Sequence, residues 1–368
     1  MPTVIHLRAE TKPFERRSPL SPKTAKALLD AGYIVHVEKC PERIYKDEEF
    51  RAVGAELVPT GSWRDAPLDN IILGLKELPD VEAPLSHTHV TFLHVFKKQT
   101  GHEIWLRRFK EGGGTLYDLE VLTDENNRRV AAFGYSAGYA GAALALYSWA
   151  HQVLHPDTPQ GPVPTFDNAP ALVTYVKSAL EPAIKANGGQ PPKIIIIGAL
   201  GRCGKGATDL CLQAGQEDIL RWDLAETKKG GPFAEIAESD IFINCVYLGS
   251  TPTPPFLTFD SLNVPERRLR VISDVSCDPN SPSNPVPVYS TWSDFENPTL
   301  PTSQPLKQGP EVRIIAIDHL PTLIARESSD EYSSMLLPSL LTLDKRDTEN
   351  VWTKAEKIFK EKVAEALN

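Results

Sequence analysis

The stretch KIIIIGALGRCGKG, residues 193–206, decides the reading of this chain, because it joins the signature of a buried strand to a glycine loop. Four consecutive isoleucines suit a strand covered on both faces, as at the centre of a parallel sheet. Gly198, Gly201 and Gly204 follow at G-x-x-G-x-x-G spacing, and Ala207, Leu210 and Cys211 then give an apolar stripe at helical spacing. Strand, glycine loop and helix form the unit in which a pyrophosphate rests on the unpaired N–H groups of a helix N-terminus, glycine letting the ligand come close. The pair Ala199-Leu200 departs from the usual G-x-G-x-x-G spacing, and a glycine triplet alone also fits a plain tight turn.

The next strand extends the argument. DILRW, residues 218–222, ends in Asp223, 22 positions beyond Gly201. A carboxylate about 20 residues on accepts the hydroxyls of a free ribose and repels a 2′-phosphate, which favours NAD over NADP. A turn or N-cap role is the plainer alternative for Asp223, and Lys228 and Lys229 are near enough to compensate a phosphate.

At 368 residues the chain exceeds the usual size of one core, so two domains are expected. Charged residues make up 24% and hydrophobic ones 41%, ordinary for a soluble globular protein. The net charge of −9, with no basic run, argues against nucleic acid and anionic membrane as partners. Five irregularly spaced cysteines make no disulfide framework, suit a reducing, cytoplasmic compartment, and form no C-x-x-C pair that would suggest a metal. MPTVIHLRAE runs straight into a strand without a signal peptide pattern, and the final residues EALN are no peroxisomal tripeptide. Residues 130–150 are uncharged and long enough for a membrane span, but Ala, Gly and Ser dominate them. A small-residue helix packed tightly between domains is the expectation.

Strand-like segments at 3–7, 33–38, 70–75, 88–92 and 115–119 alternate with helical ones at 22–31, 48–53 and 103–110, with Ser21 as N-cap and Pro22 at the first helical position. Such alternation implies an open, largely parallel α/β sheet, whose ligands bind outside the carboxyl ends of the strands. Four strands end in Arg8, Lys76, His94 and Glu120. Each has an ordinary explanation: a solvated strand end for Lys76, a satisfied core histidine for His94, a capped turn for Glu120. Together they bring two cations, an imidazole and a carboxylate to one sheet edge. Lys97, Gln99, Arg128 and Arg129 add donors, and arginine forks suit carboxylates.

Residues 155–168 read as a loop, 169–186 as a helix, and 239–245, 270–274 and 312–317 as further strands. The tail, 334–367, reads as helix and is expected to return to the first domain, so that 1–135 with 321–368 forms one domain and 136–320 the other. Cys203, in the glycine loop, and Cys245, at the end of a strand expected beside it, suit a reversible disulfide if their Cα atoms come within about 7 Å; two ordinary buried cysteines are the alternative.

The segments RAETKPFERRSPLSP, GLKELP, FLHVFKKQ, GTLYDLE, RRVAAFGYSAGYAGAAL, GALGRCGKGA, RWD, FINCVYL, DVSCDPNSPSNP and IDHLP resemble the fungal family of NAD-dependent, lysine-forming saccharopine dehydrogenases of the α-aminoadipate pathway. The resemblance covers nearly the whole chain, with a more distant similarity to alanine dehydrogenase and the α chain of transhydrogenase. It implies two Rossmann-like open parallel-sheet domains with a cleft between them, and oxidation of saccharopine by NAD to lysine and 2-oxoglutarate. It further implies Lys76 and His94 as an acid–base pair tuned by Glu120, and substrate contacts from Arg17, Gln99, Arg128 and Phe133. NAD contacts carry over to Arg129, Gly201, Arg202, Asp223, Thr227, Tyr247, Val275, Ile317, Asp318, His319 and Leu320. Three substrate carboxylates account for cationic strand ends in an acidic protein, and imine chemistry around a hydride transfer needs two proton carriers. No metal and no partner beyond small molecules is implied, and a monomer is expected. An amino-acid dehydrogenase using free ammonia and a non-catalytic NAD-responsive module are the competing functions.

Overall fold

The computed structural model describes residues 2–78, 83–97, 101–248, 253–281 and 284–367, with Lys97 described in its backbone alone. The chain divides into two units, Met1–Ala132 with Ala325–Asn368, and Phe133–Ile324. Among the described residues each is built on an open, largely parallel six-stranded sheet with helices, which meets the expectation of an α/β fold with two open parallel sheets.

The first unit begins with β1 (Val4–Leu7), α1 (Pro22–Asp30), β2 (Ile34–Glu38), α2 (Asp47–Ala52), β3 (Glu56–Val58) and β4 (Ile71–Leu73). It continues through β5 (Thr88–Thr91), α3 (His102–Gly112) and β6 (Thr115–Asp118). Among the described residues the strand order is β3-β2-β1-β4-β5-β6, all parallel. The order reverses between β1 and β4, the place where open sheets bind ligands. Ser21 caps α1 as its sequence foretold: its hydroxyl accepts the Thr24 N–H at 3.2 Å and Thr24 returns a bond to the Ser21 N–H at 2.9 Å.

The second unit contains α4 (Gly134–Leu154), α5 (Ala169–Ala186), β7 (Ile194–Ile197), α6 (Arg202–Gln213), β8 (Ile219–Trp222), α7 (Leu224–Thr227), α8 (Ala234–Ala237) and β9 (Ile241–Asn244). Next come α9 (Phe259–Leu262), β10 (Val271–Asp274), β11 (Leu300–Pro301) and β12 (Arg313–Ile315). The chain then re-enters the first unit as α10 (Ala325–Leu340) and α11 (Asn350–Leu367). Trp352 of α11 meets Tyr117 at 5.1 Å between ring centroids and Phe359 meets Phe109 at 5.6 Å, which fixes α11 against β6 and α3.

Among the described residues the second sheet has the order β11-β12-β10-β9-β7-β8, with only β11 antiparallel. The four isoleucines of β7 are buried on both faces: Ile194 and Ile196 join the core under α4, α5 and α6, while Ile195 and Ile197 pack with Phe233, Phe256 and Leu262. Full burial of each contributes roughly 1.5–3 kcal/mol. The small-residue helix α4 is a core element of this unit, which corrects its reading as a helix lodged between domains; its neighbours are α5, α6, β9 and β10. The reason is steric. A Cβ on Gly138 would lie 1.8 Å from the Cys203 carbonyl oxygen, and one on Gly206 2.0 Å from that of Tyr135, so glycine on both helices lets α4 and α6 touch backbone to backbone. Among the described residues no helix is long and apolar enough to cross a membrane.

The loops that follow β1 and β3 converge on one buried carboxylate at the end of β2. Glu38 accepts the N–H of Ala9 at 2.9 Å, of Gly61 at 2.9 Å and of Trp63 at 2.8 Å, and lies 3.1 Å from His6 Nε2. Burial raises its carboxyl, but these bonds outweigh burial and hold it below the ordinary value. A depressed carboxyl stabilises the fold above its unfolded pKa, about 4.3, and loses that contribution as pH falls through the lower folded value. Glu38→Gln sets an amide NH2 against backbone donors and is expected to lower stability by roughly 2–4 kcal/mol at pH 7. Urea unfolding at pH 7 and in acid checks this: the deficit narrows in acid, and matching midpoints at pH 7 would refute it.

Candidate active site

Because β1, β4, β5 and β6 are adjacent and parallel, the residues that follow them lie along one edge of the first sheet. Arg8, at the end of β1, is spent within the fold. Its guanidinium bonds the Lys76 carbonyl, the Thr91 hydroxyl at 3.3 Å and Glu10 at 3.3 Å. That corrects its expected place among the cations offered to a ligand. Glu10 accepts the N–H of Leu75 at 2.6 Å and of Lys76 at 3.0 Å, so both backbone groups of Lys76 are held from β1. Burial raises the Glu10 carboxyl further than Arg8 and these N–H groups lower it.

Lys76 is buried beside two more charges. Arg17 clasps Glu15 by Nε at 2.8 Å and Nη2 at 2.6 Å. Burial pushes the Glu15 carboxyl up, but Arg17, followed by Lys76, outweighs it and the net shift is downward. One edge of the Arg17 fork is therefore committed to Glu15, while Arg128 is exposed.

His94 has φ +56°, a left-handed backbone uncommon for residues other than glycine, and its ring stacks on Phe92 at 5.6 Å and 14°. Its Nδ1 lies 3.1 Å from Glu120 Oε2, and the other oxygen of Glu120 accepts Arg129 Nη2 at 3.3 Å. A neutral His94 thus carries its proton on Nδ1 and offers Nε2 as an acceptor. Arg129, a cofactor contact by resemblance, stands beside Glu120 in the first unit. Gln99 and the Lys97 side chain lie outside the described residues.

In the second unit each loop glycine has its own reason. Gly198 has φ +84°, and a Cβ there would meet the Cys245 carbonyl at 2.7 Å. A Cβ on Gly204 would lie 2.2 Å from the Gly198 carbonyl, so this residue lets α6 close on the strand end. Gly201 caps α6 and faces open space, its nearest neighbour being the Gly198 carbonyl at 3.5 Å. The turn, the packing and the open approach of a dinucleotide loop are all present, with one residue added between the first two glycines. The first N–H groups of α6 have no intrahelical acceptor and suit a pyrophosphate.

Asp223 follows β8 beside this loop. Its carboxylate accepts the Leu200 N–H at 3.0 Å and the Leu224 N–H at 2.9 Å, while Thr227 Oγ1 donates to its carbonyl at 3.0 Å. It is the N-cap of α7 as well as the acidic residue facing the loop. Lys229 is committed elsewhere, over the rings of Trp222 at 5.1 Å and Phe233 at 5.5 Å and 3.4 Å from Glu235. These residues fit the ribose and pyrophosphate of a dinucleotide.

Beyond β9, Asn244 donates to Asp274 at 2.9 Å, and Tyr289 reaches the other oxygen of Asp274 at 2.6 Å, binding the ends of β9 and β10 together. Tyr247 is exposed, and Val275 lies so close to α4 that a Cβ on Gly141 would be 2.6 Å from it. Arg202 and Asp318 are exposed, Ile317, His319 and Leu320 buried, and Phe133 precedes α4 as its N-cap. Cys203 and Cys245 are free thiols in contact; burial first, then the bond with Cys203, raises the Cys245 thiol.

Sequence reasoning missed the roles of Glu10, Asp118, Asp274 and Tyr289. Asp118 was in view within GTLYDLE, but an acidic residue at a strand end carries no mark of which N–H groups it binds.

Residues 6–140 match the family model described as alanine dehydrogenase/PNT, N-terminal domain. The saccharopine dehydrogenase (NAD+, L-lysine-forming) of Schizosaccharomyces pombe is 52% identical over 358 residues, covering 96% of this chain and 97% of that one. The protein of the same name from Yarrowia lipolytica is 53% identical over 361 residues, 97% of each. Among solved structures an L-alanine dehydrogenase matches with a TM-score of 0.67 at 17% identity, over 98% of this chain and 100% of that one, a likeness of fold. With half of its residues shared over nearly its full length, the chain belongs to the family of NAD-dependent, L-lysine-forming saccharopine dehydrogenases.

Proposed function

We propose that the protein catalyses the oxidative deamination of saccharopine to L-lysine and 2-oxoglutarate with NAD, the last step of lysine formation by the α-aminoadipate route. The observation that carries this reading is the delivery of Lys76, His94 and Glu120 by three adjacent parallel strands, in a chain whose close relatives bear that activity in their names. The first unit takes the substrate-binding and catalytic role, the second the NAD-binding role. NAD, when bound, accepts the hydride from the carbon bearing the secondary amine.

The residues manage the protons. His94 Nε2 and Lys76 share three tasks: taking the proton of the secondary amine, activating the water that attacks the imine, and protonating the departing lysine nitrogen. Glu120 keeps the His94 ring oriented. Arg128, with Arg17, Lys97, Gln99 and Phe133, meets the three substrate carboxylates and the chain between them. Gly198, Gly201, Arg202, Asp223, Thr227, Tyr247, Val275 and the segment 317–320 hold NAD, with Arg129 completing the set. A cytoplasmic monomer whose partners are its substrates fits a chain in which Cys40, Cys203, Cys211 and Cys245 are reduced thiols. NADH oxidation with lysine plus 2-oxoglutarate is the test, run beside pyruvate plus ammonia. Activity with only the second pair would make it an amino-acid dehydrogenase, and activity with neither would leave a binding module.

Lys76→Met and His94→Gln should each lower turnover by roughly a hundredfold to ten-thousandfold while leaving NAD affinity nearly unchanged. The wild-type pH–rate profile should show two ionisations belonging to the pair, each variant losing part of it. Wild-type rates in both variants would move the chemistry elsewhere.

Asp223→Ser should weaken NAD binding by on the order of ten- to a hundredfold, the equivalent of roughly 1.5–3 kcal/mol for hydrogen bonds to a charged group. It should also narrow the gap to NADP. An unchanged NAD/NADP ratio in binding titrations would remove Asp223 from cofactor choice.

Cys203 and Cys245 are expected to join under an added two-electron oxidant such as diamide, each thiol giving up a proton and the pair two electrons. NAD binding then falls and returns with dithiothreitol. Equal inactivation of Cys203→Ser would exclude the pair.

A further inference from the structure

Glu120 and His94 both stand on short segments beyond their strands, and His94 has a backbone conformation that a β-carbon disfavours. Side-chain bonds between the two orient them but do not fix the main chain beneath. Asp118, the last residue of β6, does. Its Oδ1 accepts the Glu120 N–H at 2.9 Å and its Oδ2 accepts the Leu93 N–H at 3.3 Å, one residue before His94. We propose that Asp118 is the positioning residue of the His94–Glu120 pair, a buried two-pronged acceptor that sets the spacing of the two segments carrying it.

The choice of residue follows from the geometry. Two N–H donors approach from neighbouring strand ends, and only a short carboxylate presents acceptors to both; asparagine would turn an NH2 toward one of them. The side chain is 1% exposed, so its charge is held at a desolvation cost. Burial pushes the Asp118 carboxyl up to about 6, and the Glu120 N–H, His94 and the Leu93 N–H only partly reverse this, against the added charge of Glu120. Tyr332 of α10 is a further titratable neighbour; its hydroxyl is raised by burial first and feels Arg129, Asp118 and Arg17. Glu10 serves Lys76 in the same manner, from β1. As pH falls through about 6, Asp118 gains a proton, one N–H loses its acceptor, and the ionisation of a group remote from substrate enters the activity profile.

This inference rests on His94 as a proton carrier, so its test includes a readout that needs no substrate. In Asp118→Asn, turnover with lysine plus 2-oxoglutarate is expected to fall by on the order of ten- to a hundredfold, the effect of a small misplacement. The acid limb of the profile should shift, while NADH affinity, measured by its fluorescence, stays within twofold. In protein labelled with 15N-histidine, the His94 signal, identified by its loss in His94→Gln, should change its chemical shift in Asp118→Asn because the segment that carries the ring is no longer held in place. If the asparagine chain fails to bind NADH, Asp118→Glu, which keeps the charge on a longer arm, carries the same turnover test. A pH–rate profile and a His94 signal both unchanged from wild type would overturn the proposal. A wild-type protein inactive on lysine and 2-oxoglutarate would overturn the proposed function alone, leaving the His94 signal to decide on Asp118.

Discussion

A parallel sheet leaves backbone N–H groups unpaired where its strands end, and in this protein buried carboxylates take them up. Glu38 gathers three such groups, Glu10 two and Asp118 two, all in the first unit. In the second unit Asp223, only partly buried, takes two more beside the glycine loop. Each stands near a polar loop that the rest of the fold must keep in place. An unsatisfied buried N–H costs about 1–3 kcal/mol, so the loops beyond β1, β4, β5 and β6 are fixed by the same force that stabilises the sheet. Structure and site share one set of bonds.

This explains an otherwise odd charge pattern. The chain is acidic overall, yet the residues at the ends of β1 and β4 include Arg8, Arg17 and Lys76. Arg8 and the Nε–Nη2 edge of Arg17 are matched by Glu10 and Glu15. The cations are held within a scaffold of carboxylates, and the net field at the strand ends depends on which side chains complete their pairing internally.

The run of isoleucines in β7 was legible because double-sided burial leaves a continuous apolar string, and the glycines because each answers a steric demand visible in spacing. The N-cap of α1 and the bounds of α5 were equally plain. Helices α7, α8 and α9, of four residues each, and strands β3 and β11 were not, since so few residues show no period. The place of α4 was misjudged for a related reason: a stripe of glycine and alanine says that something comes close, not what. Likewise the site residues that touch ligands by their side chains were open to reading, whereas Glu10 and Asp118 act through other residues' main chain, which sequence does not display.

The left-handed backbone at His94 sets what optimisation of this protein can reach. Glycine, with no β-carbon, adopts φ +56° without the steric cost that histidine bears, and the relief is of order 1 kcal/mol. Selection for thermal stability alone would therefore draw position 94 toward glycine and silence the imidazole. A directed-evolution campaign on this scaffold would have to screen stability and turnover together, since at this position the two objectives point to different amino acids.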